Sequence, residues 1–325
     1  MAGLGKRVGV CMPVHAPTRP IRLVLLGNPR LKRSWKNCLA HAARQLGWQT
    51  TVLQDNAVSI ADVVRACDGA DLLIWARSHG HQPSGDIARM WRKVAAGGTA
   101  TASVHLDLYW GLPHREPEIG RHPWWHAQHV FTADGGRRDW SRRGVNHHWL
   151  PPPAADRWTG PGTPRPHLAC DVVFVGTCGR AHRGSGRDRL LSWAQNRYGN
   201  RFRWLGYNRE SAVWGRDLAD LYASAHIVLG DSVPAARYWS DRVPNALGMG
   251  GVLVHPAVDG LADVHGDTVV TYRRGDFAIL GDIIDGLLAD PDRRRRLREG
   301  GVRQVAERHL WRHRLVDIAH TCGVL

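Results

Sequence analysis

Short apolar runs alternate with longer stretches of helical periodicity along the first half of the chain. The runs predicted as strands are residues 21–27, 48–53, 70–75, 100–106 and 129–132. The helical stretches between them end at residue 46 and cover residues 60–67 and 87–96. The apolar runs are nearly continuous, as in strands buried on both faces of a parallel sheet. This alternation predicts a doubly wound α/β sheet.

The same alternation restarts after a linker. Pro151, Pro152 and Pro153 open a stretch rich in proline and glycine that runs to Pro166. Predicted strands then cover residues 171–176, 202–205, 227–230, 252–254 and 268–272. Predicted helices cover residues 187–198, 218–225, 277–288, 293–308 and 312–318. The chain is therefore expected to form two facing Rossmann-like domains with a cleft between them.

Residues 238–251 form the most informative segment of the second half. A polar loop carrying Ser240, Asp241 and Arg242 leads into a short helix, and Gly250 and Gly251 connect that helix to an apolar strand. Serine and aspartate are good N-cap residues, and the unpaired N–H groups and positive dipole end of a helix favour a phosphate. The arginine adds a fixed cation. The segment predicts a phosphate site.

A second candidate loop follows the first strand of this half. It contains Gly176, Gly179, Arg180 and Arg183. Ligands of open α/β sheets lie beyond the carboxyl ends of the strands, so this loop is placed to contact the same phosphate group.

The order of loop, helix, Gly-Gly and strand resembles the donor-binding element of GT-B glycosyltransferases. The Trp-Ser-Asp-Arg run followed by a Gly-Gly-hydrophobic strand is similar, more narrowly, to the spore-maturation CgeB-type branch. Residues 103–111, 130–136, 144–152 and 309–314 extend the resemblance. It implies an acceptor-binding domain over residues 1–155 and a nucleotide-sugar domain over residues 166–309. It also implies that a helix over residues 310–325 returns to the first domain.

The resemblance implies a sugar transferase that uses a nucleotide-diphosphate sugar as co-substrate. GT-B enzymes often carry a ribose-binding glutamate in the donor helix, and Asn245 stands at that position here. Asparagine still forms hydrogen bonds to hydroxyl groups, so it remains a donor-binding candidate, while the donor and the stereochemistry stay open. For the general base that takes the proton of the acceptor hydroxyl, the candidates are Asp107, Asp134 and His79, each in a loop after a predicted strand.

Other cofactor classes lack their motifs. There is no G-x-G-x-x-G fingerprint and no P-loop, which argues against a nicotinamide, flavin or P-loop enzyme. The single D-x-D pattern, Asp290-Pro291-Asp292, lies at a helix-to-helix joint and is interpreted as a capped turn. The six cysteines show no zinc spacing. We expect no metal and no cofactor besides the nucleotide sugar.

Charge adds a hypothesis about the acceptor. The formal net charge is +15, and the first 160 residues hold 21 basic against 11 acidic residues. The bases cluster around Trp35 and Trp140, at Lys32, Arg33, Lys36, Arg137, Arg138, Arg142 and Arg143. Arginine and lysine neutralise phosphates and tryptophan stacks on bases, so both clusters are candidate nucleic-acid contacts. Equally, they are typical of solvated helices whose tryptophan faces the core.

Because enzymes resembling this one occur in phages as well as bacteria, the preferred hypothesis is a phage-type DNA glycosyltransferase. It would add a sugar to a hydroxylated base of double-stranded DNA after extruding the nucleotide. One alternative is a small-molecule, glycan or cell-surface acceptor, and another is a non-catalytic nucleic-acid-binding protein on this scaffold. No apolar run reaches the length of a membrane span, and no signal peptide is recognised. A cytoplasmic location is expected, in the host if the protein is phage-encoded, and the oligomeric state stays open.

Overall fold

Two parallel β-sheets organise the chain in the computed structural model, which describes residues 19–30, 34–77, 80–136, 139–178, 186–206 and 211–325. Several predicted site residues lie outside these ranges. They are Lys32, Arg33, His79, Arg137, Arg138, Gly179, Arg180 and Arg183.

The first sheet has six parallel strands in the order β2-β1-β3-β4-β5-β6. The strands are β1 (Arg22–Gly27), β2 (Gln49–Gln54), β3 (Leu72–Ala76), β4 (Ala100–His105), β5 (His129–Thr132) and β6 (His147–Trp149). The helices are α1 (Trp35–Gln45), α2 (Ile60–Ala66) and α3 (Ile87–Ala96). Strands β1 and β3 are buried along almost their whole length, as the continuous apolar runs predicted.

The second sheet has five parallel strands in the order β11-β10-β9-β7-β8. The strands are β7 (Cys170–Val175), β8 (Phe202–Leu205), β9 (Ala225–Leu229), β10 (Leu253–Pro256) and β11 (Val270–Tyr272). The helices around it are α4 (Arg187–Tyr198), α5 (Gly215–Ser224), α6 (Arg242–Gly248), α7 (Leu261–His265), α8 (Phe277–Ala289) and α9 (Pro291–Arg308). Apolar cores lie on both faces of each sheet, which gives two three-layer units.

The last helix, α10 (Trp311–Thr321), belongs to the core of the first sheet. Trp311 stacks on Trp35 of α1 with ring centroids 5.3 Å apart, and Leu315 and Ile318 are fully buried in the same cluster. This return after the second sheet confirms the prediction of a GT-B fold with two facing Rossmann-like domains. Within the described part of the chain, no helix is long and apolar enough to cross a membrane.

Two elements escaped the sequence analysis for physical reasons. Strand β6 has only three residues, His147–Trp149, and contains no aliphatic side chain, so it carries no strand pattern. Helix α7 has five residues, which is too short for a recognisable period. The capped turn was predicted correctly, because the Asp290 carboxylate accepts a hydrogen bond from the Arg293 N–H at 2.8 Å.

Candidate functional site

The topology of the second sheet places β7 and β9 side by side at its centre. In this strand order the connections leave the two strands toward opposite faces, which opens a crevice beyond their carboxyl ends. Gly176 follows β7 and Asp231 follows β9, so both lie at the crevice.

The carboxylate of Asp231 is buried here between two arginines. One oxygen accepts a hydrogen bond from Nε of Arg187 at 2.9 Å, and the other accepts from Nη1 of Arg274 at 2.6 Å. The same guanidinium groups donate to the carbonyl oxygens of Thr177 and Ser232. Charge-assisted bonds of this kind hold the groups that follow β7, β9 and β11 in one place.

Arg242 adds a third guanidinium group directly over the end of β7. Its Nη1 donates to the Val175 carbonyl at 3.3 Å, and a Cβ built on Gly176 would stand 2.2 Å from that nitrogen. A side chain at this position would displace the guanidinium group, and the φ of 152° at Gly176 is one that other residues rarely adopt. Burial, followed by the nearby cation of Arg242, lowers the pKa of Arg187, while the Asp231 carboxylate acts in the opposite direction. Positive charge is therefore concentrated at this edge, and a bound anion would relieve the repulsion between Arg187 and Arg242.

A buried hydroxyl–imidazole pair supports the same loop. His255 donates its Nδ1 proton to the Pro256 carbonyl at 2.7 Å, so its Nε2 accepts the Ser232 hydroxyl at 3.0 Å. Burial lowers the pKa of His255 to about 4, which keeps the ring neutral. Ser232 in turn accepts the backbone N–H of Ser240 at 3.2 Å. The pair thus fixes the start of the segment that carries Arg242.

The predicted donor residues of α6 divide into two groups. The Ser240 hydroxyl accepts the backbone N–H and Nε of Arg242 at 3.3 Å each and donates to Asp241 at 3.1 Å. Asp241 itself makes no side-chain cap bond. The amide oxygen of Asn245 accepts the N–H of Ala155 at 3.2 Å, so this side chain binds the linker. Ser240 therefore belongs to the arginine cluster, whereas Asn245 lies on the side that faces the first domain.

Asp107 lies at the carboxyl edge of the first sheet, two residues after β4. One carboxylate oxygen is 3.6 Å from Nη1 of Arg115, and about half of the side chain is exposed. Burial lowers the pKa of Lys36, and the Asp107 carboxylate opposes that shift. Burial and then the carboxylates of Asp107 and Asp241 raise the pKa of Tyr238 above its usual range. The carboxylate of Asp107 and that of Asp241 in the donor segment thus influence the same side chain, Tyr238.

Asp134 is held differently. It is 2% exposed, and one carboxylate oxygen accepts the backbone N–H groups of Tyr109 and Trp110 at 3.1 and 3.0 Å. Thr132 brackets the same turn with hydrogen bonds at 3.2 Å. Asp134 therefore shapes the loop that carries Asp107 rather than opening to the cleft.

The carboxyl edges of the two sheets come into contact at Gly135, the residue after Asp134. The N–H of Gly135 donates to the carbonyl of Arg237 at 3.1 Å, and the Arg237 guanidinium lies 4.0 Å over the ring of Trp149. Arg237 adopts a left-handed backbone with φ of 52°, which is uncommon for a residue other than glycine. Such conformations concentrate at functional sites, and this one immediately precedes the donor segment.

The described members of the basic clusters are Lys36, Arg142 and Arg143. Lys36 is partly buried, with its ammonium group 4.5 Å over the ring of Trp35. Arg142 is largely exposed and pairs with Asp139 at 2.7 Å, whereas Arg143 lies 5.5 Å over the ring of Trp110. Both tryptophans of the clusters are packed, Trp35 on Trp311 and Trp140 on His147. The rings therefore contribute to the fold, and the arginines remain as surface charge.

Sequence reasoning missed four members of the site, namely Arg187, Asp231, Ser232 and Arg274. Asp231, Ser232 and Arg274 follow predicted strands by one or two residues, so the rule that selected Asp107 would also have found them. No sequence pattern pointed to Arg187, because it begins helix α4, which is distant in sequence from its partner Asp231. Across the ranges that the structure describes, no group of three or more His, Cys, Asp or Glu side chains is placed to hold a metal ion.

Comparisons with known proteins agree with this geometry. The model of a family described as glycosyl transferase-like matches residues 182–320, which hold most of the cluster. No curated protein matches the sequence. A glycosyltransferase from Rickettsia africae ESF-5 is similar in structure, with a TM-score of 0.60 and 9% identity over 93% of this chain and 98% of that one.

Two further solved structures are similar over nearly their whole length. HepE from Anabaena, in complex with UDP, has a TM-score of 0.58 and 13% identity over 94% of this chain and 100% of that one. Sucrose-phosphate synthase from Thermosynechococcus elongatus has a TM-score of 0.56 and 12% identity over 92% and 98%. At these identities the likeness establishes the fold. The family match confirms the prediction of a glycosyltransferase.

Proposed function

We propose that this glycosyltransferase binds the diphosphate of a nucleotide sugar at the crevice between β7 and β9 and transfers the sugar to a hydroxyl group held on the first domain. One observation carries the proposal. Arg187 and Arg274 bind the buried carboxylate of Asp231, and Arg242 lies over the end of β7 at the same switch point of a doubly wound sheet. Guanidinium groups match the geometry of phosphate oxygens. Gly176 has no side chain, so a phosphate can approach the backbone closely at this position.

In the reaction the acceptor oxygen forms a bond to the anomeric carbon, and the bond from that carbon to the phosphate oxygen breaks. The nucleoside diphosphate leaves with additional negative charge, which the arginine cluster is placed to stabilise. We propose that the guanidinium groups supply this stabilisation without a metal ion. Activity that is unchanged after treatment with EDTA would support this point, and activity that requires an added divalent ion would contradict it.

We assign to Asp107 the role of the general base that takes the proton of the acceptor hydroxyl. This carboxylate is half exposed, whereas Asp134 is buried and bonded to backbone N–H groups. Geometry of this kind suits Asp107 as general base and Asp134 as a residue that positions its loop. His79, the third candidate, lies outside the described residues.

For the donor we propose a uridine diphosphate sugar. The support is that HepE, which shares this fold, is known in complexes with UDP and with UDP-glucose. Within the superfamily we propose the CgeB-type branch, on the strength of the segment Trp239-Ser240-Asp241-Arg242 and the glycine pair that follows it. Asn245 is proposed to contact the donor through the NH₂ group of its amide, because the amide oxygen accepts the linker N–H of Ala155.

For the acceptor we propose double-stranded DNA with a hydroxylated base. The support is the basic excess of the first 160 residues and the exposed guanidinium group of Arg142. Trp35 and Trp140 add no support, because Trp140 is buried against His147 and the partly buried Trp35 stacks on Trp311. The basic excess of the first domain does not depend on the donor site. The proposed donor and the proposed DNA acceptor can therefore be tested separately.

The test is nucleotide release from UDP-glucose and related donors. It is measured with hydroxymethylated duplex DNA, with unmodified duplex DNA, and with glycan and small-molecule acceptors. Release that requires modified DNA would establish both halves. Release only with another acceptor would retain the transferase and overturn the DNA acceptor. Absence of both nucleotide binding and release would overturn the donor site and favour a non-catalytic scaffold.

A further inference from the structure

Strand β6, at the outer edge of the first sheet, carries two adjacent histidines that the proposed transfer does not use. Successive side chains of a strand point to opposite faces of the sheet, so the two imidazoles lie on different sides. Nε2 of His147 lies 2.8 Å from the hydroxyl of Thr132, and its ring stacks on Trp140. His148 faces the other side and meets His129, the first residue of β5. The pair of His129 and His148 is therefore separate from the buried His147.

The two facing nitrogens of this pair are close enough to bind one ion. Nδ1 of His129 and Nε2 of His148 are 3.1 Å apart. Imidazole nitrogens bind a zinc ion at about 2.0–2.1 Å, and an ion at that distance from both atoms would see them at an angle of about 98°. This angle lies between the octahedral and the tetrahedral value. Without an ion one nitrogen donates its proton to the other, and metal binding requires only that this proton move to the opposite nitrogen of the same ring.

Packing holds both rings in this arrangement. The ring of Phe131 stacks on that of His148 with centroids 5.0 Å apart. The amide nitrogen of Asn146 donates to the carbonyl of Gln128 at 2.6 Å and lies 3.4 Å from Nδ1 of His129. Burial lowers the pKa of both histidines, which favours the neutral rings that bind metals. Both side chains are only partly buried, so water can reach an ion bound between them.

The donor atoms determine the class of ion. Imidazole suits zinc, nickel and copper, whereas magnesium and calcium take oxygen ligands. The described residues provide no group of three or more His, Cys, Asp or Glu side chains for a metal, so water would complete the coordination sphere here. Two protein ligands are fewer than the four of a structural zinc site, and the ion is therefore expected to exchange with the solvent.

We propose that His129 and His148 form a site for a divalent transition-metal ion that joins β5 to β6. Strand β6 has three residues, contains no aliphatic side chain, and leads directly into the linker at Pro151. A metal bridge to β5 would stabilise this edge strand. The site does not depend on the proposed function, because His129 begins β5, whereas Asp107 and the arginine cluster follow the carboxyl ends of their strands.

The experiment uses the full chain without a histidine tag. Binding of Zn²⁺ and Ni²⁺ is measured by calorimetry near neutral pH, with Mg²⁺ as the ion that prefers oxygen ligands. The proteins are the wild type, His129→Asn, His148→Phe and His320→Ala. His148→Phe keeps a flat ring against Phe131 and removes the nitrogen ligand. His320 is a matched control, since it is an exposed histidine of α10. Circular dichroism and the melting temperature, with and without metal, are recorded for each protein.

His129→Asn and His148→Phe are each expected to lower the affinity for Zn²⁺ and Ni²⁺ by at least about tenfold. Both should also remove the rise in melting temperature that the ions cause in the wild type. His320→Ala should change neither property, and Mg²⁺ should not bind at the pair. Absence of Zn²⁺ and Ni²⁺ binding to the wild type would overturn the proposal. Binding that survives both substitutions would also overturn it.

A crystallographic measurement decides the question if either variant fails to fold. Crystals of the wild type are soaked with Co²⁺, and anomalous scattering locates the ion. An ion about 2.0–2.2 Å from Nδ1 of His129 and Nε2 of His148 supports the site, and ions found only elsewhere overturn it. UDP binding is measured on the same wild-type protein. Its absence would refute the proposed donor site and leave the metal result unaffected.

Discussion

The two sheets share a strand order but carry different chemistry at their carboxyl edges. In both, the second strand lies outside the first, and the third, fourth and fifth follow on the other side. At the edge of the second sheet Arg187 and Arg274 bind the carboxylate of Asp231, and Arg242 lies over the end of β7. The edge of the first sheet presents Asp107 beside Lys36 and Arg115 and buries Asp134.

In the proposed reaction this difference would separate the two tasks of a sugar transfer. The cluster with excess positive charge would hold the diphosphate through binding and departure, whereas the carboxylate near neutralising cations would accept the proton. The topology supplies a crevice to each domain, and the side chains that follow each strand decide what the crevice does. The contact between Gly135 and Arg237 brings the two edges together.

The largest effect is expected from Asp107→Asn. Loss of a general base lowers kcat by about 10²- to 10⁴-fold, while affinity for the nucleotide stays unchanged because the arginine cluster is intact. The measurement is kcat beside calorimetric binding of UDP. Asp139→Asn is the matched control, since that carboxylate pairs only with surface groups. A parallel loss of UDP affinity would assign Asp107 to the donor side and break the division between the edges.

Arg242→Ala is expected to weaken nucleotide binding about 10- to 100-fold, the range for a lost charge-assisted contact. DNA affinity should stay nearly unchanged, because Arg242 lies in the second domain. Arg142→Ala is the control at an exposed arginine of the first domain. If Arg242→Ala weakens only DNA binding, the assignment of donor and acceptor to the two domains is wrong.

Acidification is expected to loosen the second domain before the first. Burial is the main cause that lowers the pKa of His255 and His309 to about 4 and that of His265 to about 3. Among the described residues of the first domain, burial lowers the pKa of His147 to about 4 and also lowers the pKa of His129 and of His148. Unfolded histidine takes up its proton near pH 6.5, so stability falls as the pH drops from about 6.5 toward 4, by up to about 1.4 kcal/mol per pH unit for each residue.

The measurement is the hydrogen-exchange protection of β10 and α7 against that of β5 between pH 7 and pH 5. His265→Phe should flatten the pH dependence of the free energy of unfolding, whereas a substitution at the exposed His320 should leave it as it is. Equal loss of protection in both sheets would show that the domains respond to acid as one unit.

The smallest effect concerns the surface charge. Replacing both Arg142 and Arg143 with alanine should reduce DNA affinity modestly and lower the slope of log K against log salt by about 2. Asp139 already pairs with Arg142, which limits the change. The same double variant should leave UDP binding intact. Unchanged DNA affinity and slope would remove these arginines from the acceptor site.

Strands and long helices were predictable because their patterns are local. Helix α4 (Arg187–Tyr198) and strand β5 (His129–Thr132) were predicted to the residue. The motif at Ser240 and Arg242 was also visible, because turn chemistry and glycines are local signals. The partners of Arg242 were not, since Val175 and Gly176 stand more than sixty positions earlier and meet it only through the parallel pairing of the sheet.

By itself, the sequence determined two doubly wound sheets, the linker and the returning last helix, and it indicated a candidate phosphate-binding segment near residue 242. Hydrophobic periodicity and turn residues specify these features without reference to distant parts of the chain. Only the tertiary structure decided that Asp231 joins two arginines, that Asp134 is buried while Asp107 stays half exposed, and that Trp35 stacks on Trp311. Those properties depend on burial and on distances between segments far apart in sequence, and folding alone sets both.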